Sequence, residues 1–328
     1  NHAQGVALAA KKLGIKATIF MPVGASLPKF QATQNYGAQV VLEGAVFADT
    51  LKAAQAYAAK KGAIFIPPFD HLDVIAGQGT VGLEVLDQVP DVTTIVVGLG
   101  GGGLGAGVAV AAKLAAKAQG RKIKVIGVQS ENSAAYVDSL KSGKPVQITA
   151  KPTIADGIAV SKPGAIPFEL IKKHIDKVVT VTETEIVQAI VVLLERAKQV
   201  VEPAGAVGVA ALMAGKIKTK GTTVAILSGG NIDPLLLQKV IGTGLEASNR
   251  YTTISVMLPD RPGQLVKTAE AVAKAQGNVV EVLHTRQGRG MEISEVELRL
   301  SVETTGLEHR MRVIQSLKDA GLDPHLEH

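Results

Sequence analysis

The chain has 328 residues, of which 46% are apolar, so it is long enough to bury a large core and to divide into two or three domains. The absence of cysteine excludes disulfides, thiolate metal sites and a cysteine nucleophile, and it favours a cytoplasmic location. The formal net charge is +6, but the basic residues are dispersed and no apolar run could span a bilayer. We therefore expect neither nucleic acid nor a membrane as a partner, and the scattered histidines predict no metal site.

Helices and strands alternate through the first part of the chain, from Asn1 to about Ile75. An alanine-rich helix ends at Gly14, and further helices are predicted over residues 29–36 and 52–61. Three short apolar runs predict the intervening strands, at residues 17–21, 39–42 and 63–66. Because such alternation builds a parallel sheet with helices on its faces, we assign residues 1–75 to a first α/β domain.

A second α/β domain is predicted over residues 76–246. Its strands are continuous apolar runs rather than alternating ones, which indicates burial on both faces of a parallel sheet. These runs lie at residues 94–97, 124–128 and 223–227. Helices are predicted over residues 107–118 and 183–200, and residues 242–249 are predicted as the linker to the next domain.

The pattern changes after Asn249, where the strands alternate apolar and polar residues. Strands are predicted at residues 252–258, 279–284 and 293–302, helices at 262–276 and 307–320, and a last strand near Leu322. The order β-α-β-β-α-β describes a ferredoxin-like α+β domain, which we assign to residues 251–325. Residues 326–328 resemble an expression-tag scar.

The most informative segment is the glycine-rich stretch at residues 98–107, which lies between a buried strand and a helix. Glycines let a backbone approach a ligand closely and turn several N–H groups towards one anion, so the stretch predicts a phosphate cradle. Gly98, Gly100 and Gly103 also have the spacing of a dinucleotide-binding loop, and that alternative stays open at this point. Four consecutive glycines and a second glycine turn at residues 228–231 favour a different phosphate-bearing ligand.

The glycine segments occur together with several other motifs in an order that identifies a family. The motifs are Asn1-His2-Ala3-Gln4-Gly5, Ile75-Ala76-Gly77-Gln78-Gly79-Thr80, the glycine-rich stretch, Ile154-Ala155-Asp156-Gly157, Glu202-Pro203-Ala204-Gly205-Ala206 and Ser228-Gly229-Gly230-Asn231. Over residues 1 to about 243 the chain resembles the serine/threonine dehydratases, which are type II pyridoxal-phosphate enzymes. The resemblance implies a two-domain parallel-sheet fold of the tryptophan synthase β-like kind.

The resemblance also implies pyridoxal 5'-phosphate as the cofactor. The implied cofactor-binding residues are Asn1, Gly100, Gly101, Gly102, Gly103, Leu104, Gly157, Glu202 and Ser228. The glycine-loop amides, including that of Leu104, would hold the phosphate, and Asn1 would bond the 3-hydroxyl oxygen. Gly157 would lie beside the ring, and Glu202 would lie near the ring or the substrate amine. Ser228 would face the pyridine nitrogen, and because a hydroxyl cannot stabilise a pyridinium by charge, it would favour elimination over transamination.

The implied reaction is the dehydration and deamination of L-threonine to 2-oxobutanoate and ammonia, with L-serine giving pyruvate, as in isoleucine biosynthesis. In the family the Schiff-base lysine precedes the Asn1 motif, so we expect the catalytic lysine upstream of Asn1 in an intact protein. Lys29 is interpreted as a surface helix residue. Two alternatives stay open: a serine-racemase-like enzyme and a non-catalytic amino-acid-binding regulator. Residues 129–135 depart at both ends from the acidic metal site of eukaryotic-type serine racemases, which favours the dehydratase.

The C-terminal domain has a motif of its own, Leu258-Pro259-Asp260-Arg261-Pro262-Gly263-Gln264-Leu265, which follows a strand and opens a helix. It resembles the signature of ACT domains, which bind amino acids at paired interfaces. Gly263 permits close approach to a helix N-terminus, where N–H groups can take a carboxylate. The resemblance implies allosteric regulation by an amino-acid effector and a homodimer or homotetramer. The implied effector-binding residues are Asp260, Arg261, Pro262, Gly263 and Leu265.

Overall fold

The computed structural model describes residues 1–286 and 292–327, and it divides the chain into two compact units, Asn1–Leu237 and Gln238–His328. The division falls inside a helix, Pro234–Ala247, so the linker predicted over residues 242–249 is wrong for most of its length. Val240 and Gly244 are buried and lie four residues apart, which places them on one face of this helix. The apolar spacing of the helix therefore continues through most of the segment predicted to be a linker.

A small parallel sheet lies in the first unit. Its two strands are β1 (Thr18–Met21) and β2 (Gln39–Leu42), and its helices are α1 (His2–Leu13), α2 (Leu27–Asn35) and α3 (Phe47–Lys61). The third strand predicted at residues 63–66 is absent, and Ile64 is 87% exposed. Because strand residues need a neighbouring strand to satisfy their backbone groups, apolar character alone does not make a strand here.

A larger parallel sheet follows, with the strand order β5-β4-β3-β6. The strands are β3 (Val92–Gly98), β4 (Lys124–Ser130), β5 (Lys177–Val181) and β6 (Thr222–Ala225), of which β5 is not foreseen from the sequence. The helices are α4 (Leu72–Gln88), α5 (Gly103–Ala118), α6 (Ala135–Ser142), α7 (Ala165–His174), α8 (Glu183–Val192) and α9 (Pro203–Met213). The helix in which the division between the units falls is α10 (Pro234–Ala247). Ile95, Val97 and Val125 are fully buried, as expected for strands covered on both faces.

Close packing between α4 and α5 brings the start of α4 against the glycine-rich stretch. A Cβ on Gly82 would lie 2.7 Å from the Val108 carbonyl oxygen, and one on Gly107 would lie 2.7 Å from the Gly79 nitrogen. Real Cβ atoms do not approach that closely, so the two helices meet at glycines. Phe69, just before α4, consequently packs against Gly101 and Gly103.

The second unit has a four-stranded antiparallel sheet with two helices. Its elements are β7 (Tyr251–Pro259), α11 (Gln264–Lys274), β8 (Asn278–Thr285), β9 (Glu295–Glu303), α12 (Leu307–Asp319) and β10 (Pro324–Leu326). The spatial order β10-β7-β9-β8 is that of a ferredoxin-like fold, as the sequence pattern predicts. Leu326, assigned above to a tag scar, pairs with Ile254, and Glu327 forms an ion pair with Arg299; His328 lies outside the described residues. No helix among the described residues combines the length and apolarity needed to cross a bilayer.

Candidate active site

The candidate site lies at the carboxyl ends of the strands of the larger sheet. The glycine-rich stretch leaves β3, and the Leu99 N–H donates to the Val128 carbonyl of β4 at 2.8 Å. The Ile226 N–H donates to the Val96 carbonyl at 2.9 Å, which places the turn at residues 227–231 at the same edge. Parallel α/β sheets bind ligands at this edge, so both glycine turns face one location.

The four glycines Gly100 to Gly103 are buried and fit their places only because they lack a side chain. A Cβ on Gly101 would overlap the Phe69 ring, and a Cβ on Gly102 would overlap the Tyr136 hydroxyl. Gly102 also has a φ of 102°, in the region that favours glycine. Within the described chain, the N–H groups of these four glycines have no hydrogen-bond acceptor, and α5 begins at the last of them, Gly103. Unpaired amides at a helix N-terminus are suited to a phosphate.

Glu202 provides a second polar group at this edge. It is only 3% exposed, and its Oε1 accepts a hydrogen bond from Asn1 Nδ2 at 2.9 Å. Its Oε2 is buried and has no hydrogen-bond partner among the described residues. A buried carboxylate oxygen without a donor is costly, so the site is complementary to a ligand that carries an N–H or O–H group.

The structure brings Asn1, Gly157, Glu202 and the Ser228 turn together. Asn231 Nδ2 donates to Asn1 Oδ1 at 2.5 Å, so both ends of the Asn1 amide have a protein partner. A Cβ on Gly157 would lie 3.5 Å from Glu202 Oε1, and the Glu202 N–H donates to the Gly229 carbonyl. Ser228 is exposed beside Gly229. Leu104 lies in the first turn of α5, directly after the glycines.

Lys29 belongs to this group as well, although the sequence interpretation placed it on the surface. Its side chain is 22% exposed, and its Nζ lies 2.7 Å from Asp156 Oδ2. Asp156 precedes Gly157, so the ion pair joins α2 to the segment that lines the site. The sequence could not show this contact, because the two residues are far apart in the chain.

Glu183 is a further residue that the sequence analysis did not identify. Its Oε1 accepts hydrogen bonds from Ser130 Oγ at 3.0 Å and Thr153 Oγ1 at 2.6 Å, and its Oε2 accepts from the Ile154 N–H at 2.7 Å. The carboxylate therefore fixes the start of the motif that contains Gly157. In the sequence, a glutamate directly after Thr182 indicates only the start of a helix. Its hydrogen-bond partners could not be predicted, because they belong to distant segments of the chain.

The residues at this edge fit a ligand with a phosphate at one end and a polar ring or amine at the other. The buried glycine amides can bind the phosphate, and the unpartnered oxygen of Glu202 can accept a hydrogen bond from a donor at the same edge. Within the described residues, no group of three or more metal-ligating side chains is placed to hold an ion. Pyridoxal phosphate therefore fits the residues that are present.

The second unit contains a cavity of about 280 Å³. All of the implied effector residues, Asp260, Arg261, Pro262, Gly263 and Leu265, line it, together with Gln264, His284 and Arg286. Gly263 has a φ of 92° and immediately precedes α11, and Arg286 forms an ion pair with Asp260 at 3.6 Å. The pocket thus combines both charge signs at a helix N-terminus.

Comparison with known proteins agrees with the geometry of the first unit. Residues 1–229 match the family model described as pyridoxal-phosphate dependent enzyme. An L-threonine ammonia-lyase of Thermotoga maritima is 48% identical, with 94% of this chain and 76% of that protein covered. An L-threonine ammonia-lyase of Geobacter sulfurreducens is 44% identical, with coverages of 98% and 79%.

Solved structures show the same relationship. The processed form of threonine deaminase isoform 2 from Solanum lycopersicum superposes with a TM-score of 0.68 at 38% identity, covering 74% of this chain and 71% of that one. Maize serine racemase superposes with a TM-score of 0.67 at 33% identity, covering 76% of each chain.

Proposed function

Because the chain belongs to the pyridoxal-phosphate-dependent enzyme family, we propose that it acts as an L-threonine ammonia-lyase, which converts L-threonine into 2-oxobutanoate and ammonia. The proposal depends on one observation. Buried glycine N–H groups without an acceptor and the Oε2 of Glu202, which has no donor, lie at the same edge of the sheet. L-Serine, which differs by one methyl group at the β-carbon, is a second expected substrate and would give pyruvate. The relatives named above as L-threonine ammonia-lyases support threonine as the main substrate.

The cofactor, when bound, supplies an electron sink for the α-carbon of the amino acid. The amides of Gly100 to Gly103 and the N-terminus of α5 hold its phosphate by charge and hydrogen bonding. Ser228 offers an uncharged hydroxyl to the ring nitrogen. Because that hydroxyl does not stabilise a full positive charge there, the site favours prompt loss of the β-hydroxyl.

Glu202 and Asn1 orient the polar groups of the bound molecules. The Asn1 amide holds Oε1 of Glu202, which leaves Oε2 as the acceptor for a ring or substrate donor. The Glu183 carboxylate and the Lys29–Asp156 ion pair hold Gly157 against this group from two sides. Fixed dipoles and charges of this kind lower the cost of reorganisation during the reaction.

A serine racemase is the alternative within the family, and a racemase is among the similar structures. The observation against it is that Gln129 and Ala135 stand at the two positions where residues 129–135 depart from the acidic metal site of those enzymes. Gln129 is fully buried and neutral, and its amide is engaged with protein groups on both sides. We therefore favour the elimination reaction.

For the second unit, the proposal extends to an ACT-type regulatory role. The cavity beside Gly263, with Asp260 and Arg286 in its wall, could take both the carboxylate and the ammonium group of an amino acid. The edge strand β8 exposes Val280, Val282 and Leu283, which supports pairing with a second copy in a homodimer or homotetramer. Calorimetric titration with isoleucine or valine should show binding that Arg286→Ala weakens, and light scattering should show an oligomer. The absence of both effects would rule out this part of the proposal.

The test of the main function is a spectrophotometric assay of 2-oxo acid formation by the full-length protein. L-Threonine should give product only when pyridoxal phosphate is present, and removal and restoration of the cofactor should abolish and recover the activity. Ser228→Ala should lower kcat by about tenfold through loss of one hydrogen bond to the ring, whereas Ser248→Ala, at an exposed helix end, should not. Cofactor-independent product, or none at all, would overturn the proposal.

A further inference from the structure

The carbonyl groups of the glycine loop are anchored from behind. The Leu99 oxygen accepts a hydrogen bond from Gln129 Nε2 at 3.2 Å. The Gly101 oxygen accepts from the Tyr136 hydroxyl at 3.1 Å and from the Gly164 N–H at 3.1 Å. The Gly102 oxygen accepts from the Ala106 N–H in the first turn of α5.

These anchors determine where the amides point. In a planar trans peptide the carbonyl of one residue and the N–H of the next point in opposite directions. Fixing the Leu99, Gly101 and Gly102 oxygens therefore turns the N–H groups of Gly100, Gly102 and Gly103 to the opposite side of the loop. Glycine peptides flip easily, because no side chain opposes the rotation, so an unanchored loop could place carbonyl oxygens against a phosphate.

Gln129 is the centre of this arrangement. It lies at the end of β4, is fully buried, and its Nε2 donates to both the Leu99 oxygen and the Ser133 oxygen, the latter at 3.3 Å. Its Oε1 accepts from the Tyr136 N–H at 2.9 Å. One neutral amide thus holds the glycine loop, the turn after β4 and the first residues of α6.

Tyr136 continues the connection from α6 to the loop. Its ring is fully buried against Phe168, and its hydroxyl reaches the Gly101 oxygen. Burial, assisted by the Asp70 carboxylate, raises the pKa of Tyr136 far above its usual value. The hydroxyl therefore remains protonated, and remains a donor to the loop, at every pH at which the protein would be used.

We propose that Gln129 and Tyr136 are positioning residues that orient the glycine-loop amides for phosphate binding. The Nε2 group of Gln129 lies between the Leu99 and Ser133 oxygens and donates a hydrogen bond to each of them. The inference rests on the proposed function only in identifying the anion as the cofactor phosphate.

Gln129→Glu tests this role most sharply. The substitution changes the shape little, but it places a carboxylate oxygen against two carbonyl oxygens, which is a set of ligands that divalent cations prefer. Without such cations, binding of pyridoxal phosphate should weaken by about tenfold or more, because buried acceptors lose their donor. Added Mg²⁺ or Ca²⁺ should restore most of the affinity. Gln119→Glu, the same change at the exposed end of α5, is the matched control and should bind normally with or without the ions.

Tyr136→Phe is the milder second variant. It removes only the hydroxyl and leaves the Gly164 N–H on the Gly101 oxygen, so cofactor affinity should fall by a factor of about three to ten. In the holoenzyme, the phosphorus NMR resonance of the cofactor phosphate should shift in both variants. The dissociation constant of the cofactor should change by a larger factor than kcat measured at saturating cofactor. A role in folding alone would not move this resonance in protein that remains folded.

Two results would overturn the inference. Wild-type affinity and an unchanged phosphorus resonance in Tyr136→Phe would overturn the inference, and Tyr136→Phe decides the matter if Gln129→Glu does not fold. A folded Gln129→Glu protein that binds the cofactor with wild-type affinity in the absence of divalent cations would also overturn the assignment of Gln129. Cofactor titrations need no amino acid, so failure of threonine turnover would refute the proposed function without altering these results.

Discussion

Replacement of Gly102 by alanine should disable the phosphate loop, and the structure gives the size of the effect. The φ of 102° makes an L side chain strained at this position, which costs about 1–2 kcal/mol. The new Cβ would also overlap the Tyr136 hydroxyl, so that side chain must move and its hydrogen bond to Gly101 is lost. Leaving those buried groups unpaired costs about 1–3 kcal/mol more. Gly102→Ala should therefore destabilise the folded protein by about 2–5 kcal/mol.

Gly120→Ala is the matched control for backbone strain. Gly120 has a φ of 70°, but no atom lies within 4 Å of the place where its Cβ would be. Its replacement should cost only about 1–2 kcal/mol. Urea unfolding gives both free energies, and cofactor titration should show weakened binding only for Gly102→Ala. If the two variants were equally stable and both bound the cofactor normally, the account of the loop as a close-packed phosphate cradle would be incorrect.

Three further predictions test other parts of the structure. Burial alone would raise the pKa of Glu185, but hydrogen bonds from the Lys216 ammonium and the Thr182 amide lower it overall. Lys216→Met should therefore reduce the free energy of unfolding by less than about 1 kcal/mol at neutral pH. Because a lowered carboxyl pKa stabilises the folded state fully above the unfolded pKa of about 4.3, the difference in urea midpoints should shrink below that pH and vanish once the pH has fallen through the folded pKa of Glu185. In a double-mutant cycle, Lys29→Met and Asp156→Asn should couple by about 0.2–1 kcal/mol, since Asp156 is largely exposed; zero coupling would show that the ion pair does not persist in solution. Leu298→Ala, at a fully buried position of β9, should cost about 2–5 kcal/mol by calorimetry, whereas Leu265→Ala, which is 44% exposed, should cost much less.

The sequence predicts the elements that have strong local signals. The buried runs of β3 and β4, the glycine-rich stretch and the β-α-β-β-α-β order of the second unit all follow from the spacing of apolar residues and glycines. The run at residues 63–66 has equally strong apolar character but forms no strand. Local composition shows that a segment could form a strand, but the strand forms only where a neighbouring strand is in place to pair with it.

The contacts of the candidate site are less accessible from sequence. Motif resemblance brought Asn1, Gly157, Glu202 and Ser228 into one group, and the structure places them at one sheet edge. For Gln129, the sequence showed only that this position departs from the metal-binding pattern of serine racemases. Its hydrogen bonds to Leu99 and Ser133 depend on the return of the chain from β4 into α6, which no spacing along the sequence encodes.

Threonine ammonia-lyase activity can be followed directly by proton NMR of L-threonine incubated in D₂O with the full-length protein and pyridoxal phosphate. A threonine ammonia-lyase should convert the threonine resonances into those of 2-oxobutanoate, with an equal amount of ammonia found by a separate chemical assay, and omission of the cofactor should stop both. Threonine that persists while its α-proton exchanges or its α-carbon inverts would contradict the account and identify a racemase instead.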